Sequence, residues 1–436
     1  MRLVFEKTGV VGLYLFSLGM WIHKGISNAG IFLMLLGLLF SGWNFPKAAV
    51  GRHRIAGLLR SPVFVVTILW VLYLLLRMAQ ALHGDNAVLH LKEGFRLIWL
   101  AGFLLVAWYL EGKEERILKV LGLACLSFFL GRLLYLDDLW QWKWDFWRYR
   151  YAMGLPTAIP FGQYAAAVTL GLMVMGKRFW RRKIGCCKSW LIGGWYMALA
   201  VALECLILSH SRGVWAAFVL VMVVVLVMGW RLFVNPRRIL PFTIGSTVVL
   251  LIALGIVQSE AVVERLQEEQ EVYSVLLKGN VEKVPAQHDD GREYSVGVRV
   301  AMWRFGLRHW LEKPWIGWGP GATKALIECC APDIFKRFND LHSAYVEILV
   351  RLGLVGFLLM VAVAISVLIS ACQGLRESRL AADIFVFVVG ALLLHALIAA
   401  VNFRMLNYDW RFYWYLFGGI AATFDLWRSD ETEEDS

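Results

Sequence analysis

The chain has 436 residues, 59% of them hydrophobic and only 18% charged, with a formal net charge of +11 and a mean hydropathy of +0.61. A soluble chain of this length carries more charge than that, so the composition excludes a water-soluble fold and points to an integral membrane protein. The positive charge does not indicate nucleic acid, because it is divided among short clusters instead of gathered in one patch: Lys47, Arg52, Arg54 and Arg60; Lys177, Arg178, Arg181, Arg182, Lys183 and Lys188; Arg231, Arg237 and Arg238.

Taken in order, the chain opens with Met1 to Lys7 and an apolar stretch that resembles a signal peptide. It has no strong small-x-small cleavage site and a second apolar run follows at once, so an uncleaved first helix is expected. Apolar runs long enough for a ~30 Å hydrocarbon core then recur. They predict an all-α polytopic membrane protein of about twelve transmembrane helices. The expected spans are 9–23, 27–43, 62–82, 96–110, 117–136, 158–175, 190–208, 214–230, 239–258, 343–370, 384–401 and 412–427. The basic clusters alternate with loops poor in Lys and Arg, which places both termini and all three clusters in the cytoplasm. Residues 1–258 therefore hold nine spans, 259–341 a long periplasmic loop, 342–427 three more spans, and 428–436 an acidic cytoplasmic tail.

Two outer segments differ from ordinary connectors. Residues 137–151 mix tryptophan with charge and suit the membrane interface; a sugar-stacking platform is the second reading. Residues 259–341 are far longer than a connection requires. The pattern predicts an amphipathic helix within 262–277, a polar stretch over 278–292, a helix over 295–311, and a Pro/Gly turn at 314–321 that ends it. The seven cysteines form no metal or disulfide framework and read as structural or incidental. Arg77, Arg132, Glu204 and His395 are ionisable groups within apolar runs, as in transporters, but they do not fall into two similar halves.

Three outer features carry candidate chemistry. Ser209-His210-Ser211-Arg212-Gly213 lies where two apolar runs meet. Arg299 stands four residues before Trp303 and leads into Pro314-Trp315-Ile316-Gly317-Trp318-Gly319, whose glycines allow close backbone approach. His342 opens the long apolar run that contains Gly353-Leu354-Val355-Gly356. In this order the three resemble the shared carboxy-terminal region of the O-antigen ligase and O-antigen polymerase superfamily. That family has a Ser-Arg-Gly helix start, a loop arginine before a Trp, a Pro-x-x-Gly-x-Gly turn, a histidine opening the next helix and a Gly-Leu-x-Gly. Ser343 stands where many members have Asn, and Arg351 where many have an acidic residue; Arg292 rivals Arg299 for the loop-arginine role.

The resemblance implies a glycosyltransferase at the periplasmic face of the bacterial inner membrane, acting in lipopolysaccharide biosynthesis. Its donor would be a glycan on undecaprenyl pyrophosphate. The ligase branch, with a lipid A–core acceptor, is favoured over a polymerase or a protein O-oligosaccharyltransferase on the same scaffold. A lipid flippase or transporter is the reading from a different class. Planar guanidinium groups hold phosphate bidentately and stay protonated, so Arg212 and Arg299 are the expected pyrophosphate clamp. Histidine titrates near ~6.5, and His342 is the expected base for the acceptor hydroxyl. No outer-side cluster has metal-ligand spacing, and Asp289-Asp290 reads as a solvated pair. Transfer is expected to be metal-independent and inverting, with no cofactor, and with membrane lipids but no nucleic acid as further partners.

Overall fold

A computed structural model of the chain describes residues 2–42, 57–82, 84, 86–134, 158–181, 188–232, 245, 252, 263, 267, 269–287, 294–402 and 408–427. These contain fifteen α-helices, and no β-strand occurs among the described residues. They are α1 (Arg2–Ile22), α2 (Lys24–Gly42), α3 (Pro62–Gln80), α4 (Ala87–Ile98), α5 (Phe103–Leu110), α6 (Glu114–Leu134), α7 (Ala158–Arg181), α8 (Lys188–Leu208) and α9 (Arg212–Leu232). After them come α10 (Gln270–Leu277), α11 (Ser295–Glu312), α12 (Ala322–Cys330), α13 (Ala344–Arg376), α14 (Ala382–Val401) and α15 (Tyr408–Leu426). Eight helical segments among the described residues are long and apolar enough to cross a membrane, which makes this a multi-pass, all-α membrane protein.

Eleven of the twelve runs expected from sequence coincide with helices; the run at 239–258 lies, but for residues 245 and 252, outside the described residues, as do 137–151, Asp289, Asp290 and Arg292. The fourth run is one span in two pieces, since α4 and α5 are joined by a 3-10 turn at Trp99–Gly102. The loop helix expected at 295–311 is α11. Helix α12 is an addition that the sequence pattern does not announce, and Cys329 and Cys330 at its end are joined in a disulfide. The sequence predicts no disulfide for these two residues.

Polar ties at one end of the bundle show how the crossings are arranged. The Ser61 hydroxyl caps α3 by accepting from Phe64 N–H at 3.2 Å and donates to Asp425 at the end of α15. Arg178 at the end of α7 holds Asp383 at the start of α14, and also reaches Glu114 at the start of α6 at 2.9 Å. Alternating crossings put all five of these helix ends on one side. The long loop sits on the other.

The helix that carries His342 is broken, and the break fixes the loop. At Gly353 the backbone of α13 leaves the helical region (φ 67°, ψ −169°). A broken helix in a membrane must have its freed N–H and C=O groups satisfied by protein. The turn at 314–321 does this: Trp318 N–H donates to Val350 C=O at 2.9 Å and Gly319 N–H to Arg351 C=O at 2.8 Å. In return Leu354 N–H donates to Pro314 C=O at 2.8 Å and Val355 N–H to Trp315 C=O at 3.1 Å. Tyr73 of α3 donates its hydroxyl to Leu352 C=O at 2.6 Å, and Arg77 donates to Gly317 C=O at 3.1 Å. A Cβ on Gly353 would lie 2.3 Å from Trp315 O, and one on Gly317 would lie 2.6 Å from Val350 O. The glycines of this turn thus allow close approach to a helix backbone, where the sequence alone suggests approach to a ligand.

Candidate functional site

The Ser-Arg-Gly start places Arg212 as the first residue of α9. Just before it, His210 adopts the left-handed conformation (φ 43°), which reverses the chain between α8 and α9. His342 does the same (φ 52°) before α13. Each is followed by a serine that starts a membrane helix; the Ser343 side chain accepts from Val346 N–H at 3.4 Å. Two bulky residues with positive φ at two helix starts on the same side are uncommon, and such conformations cluster at functional sites.

Arg212 and Arg299 come together around one carboxylate. Glu269 is 3% exposed; it accepts from Arg212 at 3.1 Å and from Val296 N–H, in the first turn of α11, at 3.1 Å. It therefore acts as the first-turn carboxylate of α11 while anchoring α9 to that helix. Arg299 stands one turn further along α11. Its guanidinium is driven below the ordinary arginine range first by burial and next by the like charge of Arg212, with Glu269 and Tyr273 opposing. Arginine does not lose its proton in proteins, so Arg299 stays a buried cation beside a second one. Among the described residues the cluster holds two guanidinium groups against one carboxylate.

His342 is reached through the same helix. Gly306 is seven residues after Arg299 on α11 and so shares its face. A Cβ on Gly306 would meet Leu341 Cδ1 at 2.7 Å and Val346 Cγ1 at 2.8 Å, so the segment bearing His342 packs on that face about 10 Å along the axis from Arg299. The His342 ring is one-fifth exposed, and its Nδ1 lies 3.1 Å from Asp340 Oδ1, which also accepts from His342 N–H at 3.0 Å. Phe338 packs edge-on against the ring, with centroids 4.9 Å apart. With Nδ1–H donated to the carboxylate, Nε2 keeps its lone pair free for an incoming proton.

Sequence reasoning missed several residues here. Asp340, two residues before the histidine, was readable as a local hydrogen-bond partner. Glu269 was not, because it meets Arg212 across 57 residues of chain. Arg351, the departure from the family pattern, is itself structural. It is 4% exposed, bonds Glu347 through Nε at 2.8 Å and Thr323 at 3.2 Å, and reaches Glu93 of α4 at 3.3 Å. Glu347 is fully buried and accepts from Leu341 N–H at 3.1 Å, which holds the backbone beside His342. Of the polar groups in apolar runs, Arg132 lies 3.7 Å from Glu204, Arg77 holds the turn, and His395 bonds Gln163 at 3.0 Å.

Residues 195–361 match the family model described as O-Antigen ligase. No curated protein matches the chain. The matched region runs from α8 into α13 and includes the Arg212 helix start, Glu269, Arg299, the 314–321 turn, His342 and the Gly353 break. With that region embedded in a multi-pass bundle of apolar helices, the match supports the O-antigen ligase superfamily for residues 195–361.

Proposed function

We propose that the protein transfers a glycan from undecaprenyl pyrophosphate to a lipid A–core acceptor at the periplasmic face of the inner membrane. The observation that carries this reading is the pairing of Arg212 with Arg299 around the carboxylate of Glu269. That arrangement suits a pyrophosphate arriving from the membrane plane. Its negative charge grows as the bond from the sugar anomeric carbon to the phosphate oxygen breaks. Fixed donors aimed at such growing charge are worth on the order of 3–4 kcal/mol each.

His342 is the base in this reading. The acceptor hydroxyl oxygen bonds to the anomeric carbon from the side opposite the phosphate, and its proton passes to His342 Nε2. Undecaprenyl pyrophosphate leaves on the two arginines, and the anomeric configuration inverts. Asp340 supports the role by accepting a hydrogen bond from Nδ1–H, which fixes the tautomer that a base requires. None of these steps requires a metal ion. A purified-component assay with undecaprenyl-pyrophosphate glycan and lipid A–core, with and without chelator, tests the reading. Chelator-insensitive glycan transfer is expected; glycan appearing only on lengthened donor chains, or no transfer by folded protein, would contradict it.

A further inference from the structure

Beneath the His342 end of α13 lies a cavity of about 330 Å³ that the transfer chemistry above does not use. It is walled by α3, α5, α13, α14, α15 and the 3-10 turn, all within apolar membrane helices, and nearly all of its lining is hydrocarbon. On α13 its lining includes Ile365 and Leu368, which are exposed at the surface of the bundle. Three donors around it are used within the fold: Thr67 donates to Val63 C=O at 2.7 Å, Trp414 to Leu100 C=O at 2.9 Å, and Tyr345 to Ala396 C=O at 2.8 Å. His395 differs. It is 5% exposed, and its Nε2 has no hydrogen-bond partner among the described residues.

The tautomer follows from its other nitrogen. The Gln163 side-chain nitrogen sits 3.0 Å from His395 Nδ1 and can only donate, so Nδ1 accepts and the proton is on Nε2. The ring is held by stacking on Tyr413, with centroids 5.4 Å apart and planes 13° apart. The cavity therefore has an apolar body and, at His395, a fixed N–H donor with no partner among the described residues. Leaving such a donor unpaired in an apolar setting is costly, so the fitting occupant is a hydrocarbon chain that bears an acceptor oxygen. A polyprenyl chain has no oxygen below its head group. An acyl chain has its ester carbonyl, and a branched acyloxyacyl chain has a second ester further down. His395 is six residues before the end of α14, about 9 Å along the helix from the loop side, deeper than a glycerol ester at the core boundary.

We infer that this cavity seats a branched acyl chain of the acceptor glycolipid, whose inner ester carbonyl accepts a hydrogen bond from His395 Nε2. The assignment of the occupant as acceptor rests on the transfer reading above. Tyr345 supports that link, because it lies three residues after His342 and bonds the carbonyl next to His395 at the roof of the cavity. An acyl chain seated here would present its sugar head near His342.

Photolabelling of the full-length protein in nanodiscs tests this. The probes are lipid A, phosphatidylethanolamine and undecaprenyl pyrophosphate, the first two carrying a diazirine in an acyl chain and the third in its prenyl chain. Adducts on 360–368 and 389–399 from the lipid A probe are expected, competed by unlabelled lipid A and not by phosphatidylethanolamine. His395→Phe keeps the ring stack and should lower that labelling roughly three- to tenfold. Ala364→Trp, at an exposed position of the lining, should block it with His395 intact. Equal competition by phosphatidylethanolamine, labelling there by the prenyl probe alone, or unchanged labelling in both variants would overturn the inference. Undecaprenyl-pyrophosphate binding measured in parallel separates the two readings: loss of the arginine reading leaves acyl labelling in place, and loss of this inference leaves donor binding in place.

Discussion

Two arginine clusters on the loop side use the same residue types for opposite ends. At the first, Arg212 and Arg299 share Glu269; at the second, Arg351 stands between Glu347 and Glu93. The first has more cation than anion among its described members, and Arg212 keeps over a quarter of its side chain exposed. The second gives one guanidinium two carboxylates and a hydroxyl, and its arginine is 4% exposed. Exposure, not residue identity, separates the proposed anion-binding pair from a structural pin. A buried, saturated ion pair adds little net stability compared with apolar packing, but removing one partner is expensive.

That contrast can be broken by substitution. The largest effect expected is from Arg351→Met, which leaves Glu347 buried without a counter-charge and costs about 3–5 kcal/mol. It should be read as a lost or strongly lowered thermal transition in detergent, whereas Arg299→Met should leave that transition nearly in place. Equal destabilisation by the two variants would erase the distinction. Next, His342→Ala should lower glycan transfer about 10²–10⁴-fold with donor binding retained. A near-normal rate in folded protein would reduce the histidine to a helix-start residue.

Smaller is the expected loss in Arg212→Lys and Arg299→Lys, about 10²-fold in transfer for each, because an ammonium cannot reproduce the planar fork. Arg351→Lys should behave differently and lose stability before activity. The mildest is Gly353→Ala. A side chain there meets Trp315 O and a positive φ, so thermal stability should drop by more than ~1 kcal/mol while the arginine cluster is left alone. Unaltered stability in that variant would show that the helix break is not held by the turn.

The sequence makes the bundle legible because apolar length is a local property: ten of the expected spans from 9–23 to 384–401, and the last at 412–427, are helices in the structure. The break in α13 and the two-piece span formed by α4 and α5 were not legible, since apolar runs look alike whether straight or interrupted. Helix α12 escaped notice because its sequence, Ala322–Cys330, is short and sits behind a turn. In the candidate site, Arg212, Arg299 and His342 were recognisable from motif order. Their partners depend on chain-distant contacts: Glu269 and Arg212 lie 57 residues apart, and Arg351 and Glu93 lie 258 apart. The 314–321 turn shows the opposite failure. Its glycines announced a close approach correctly, but only the folded chain reveals that the neighbour is another stretch of its own backbone.

The most direct test of the central claim is the affinity of the purified protein for undecaprenyl pyrophosphate, compared among wild type, the Arg212→Lys and Arg299→Lys variants, and Arg308→Lys as a control on the exposed side of α11. The account predicts binding at least about tenfold weaker in each of the first two and unchanged in the control. Wild-type affinity in folded Arg212→Lys and Arg299→Lys proteins would contradict it.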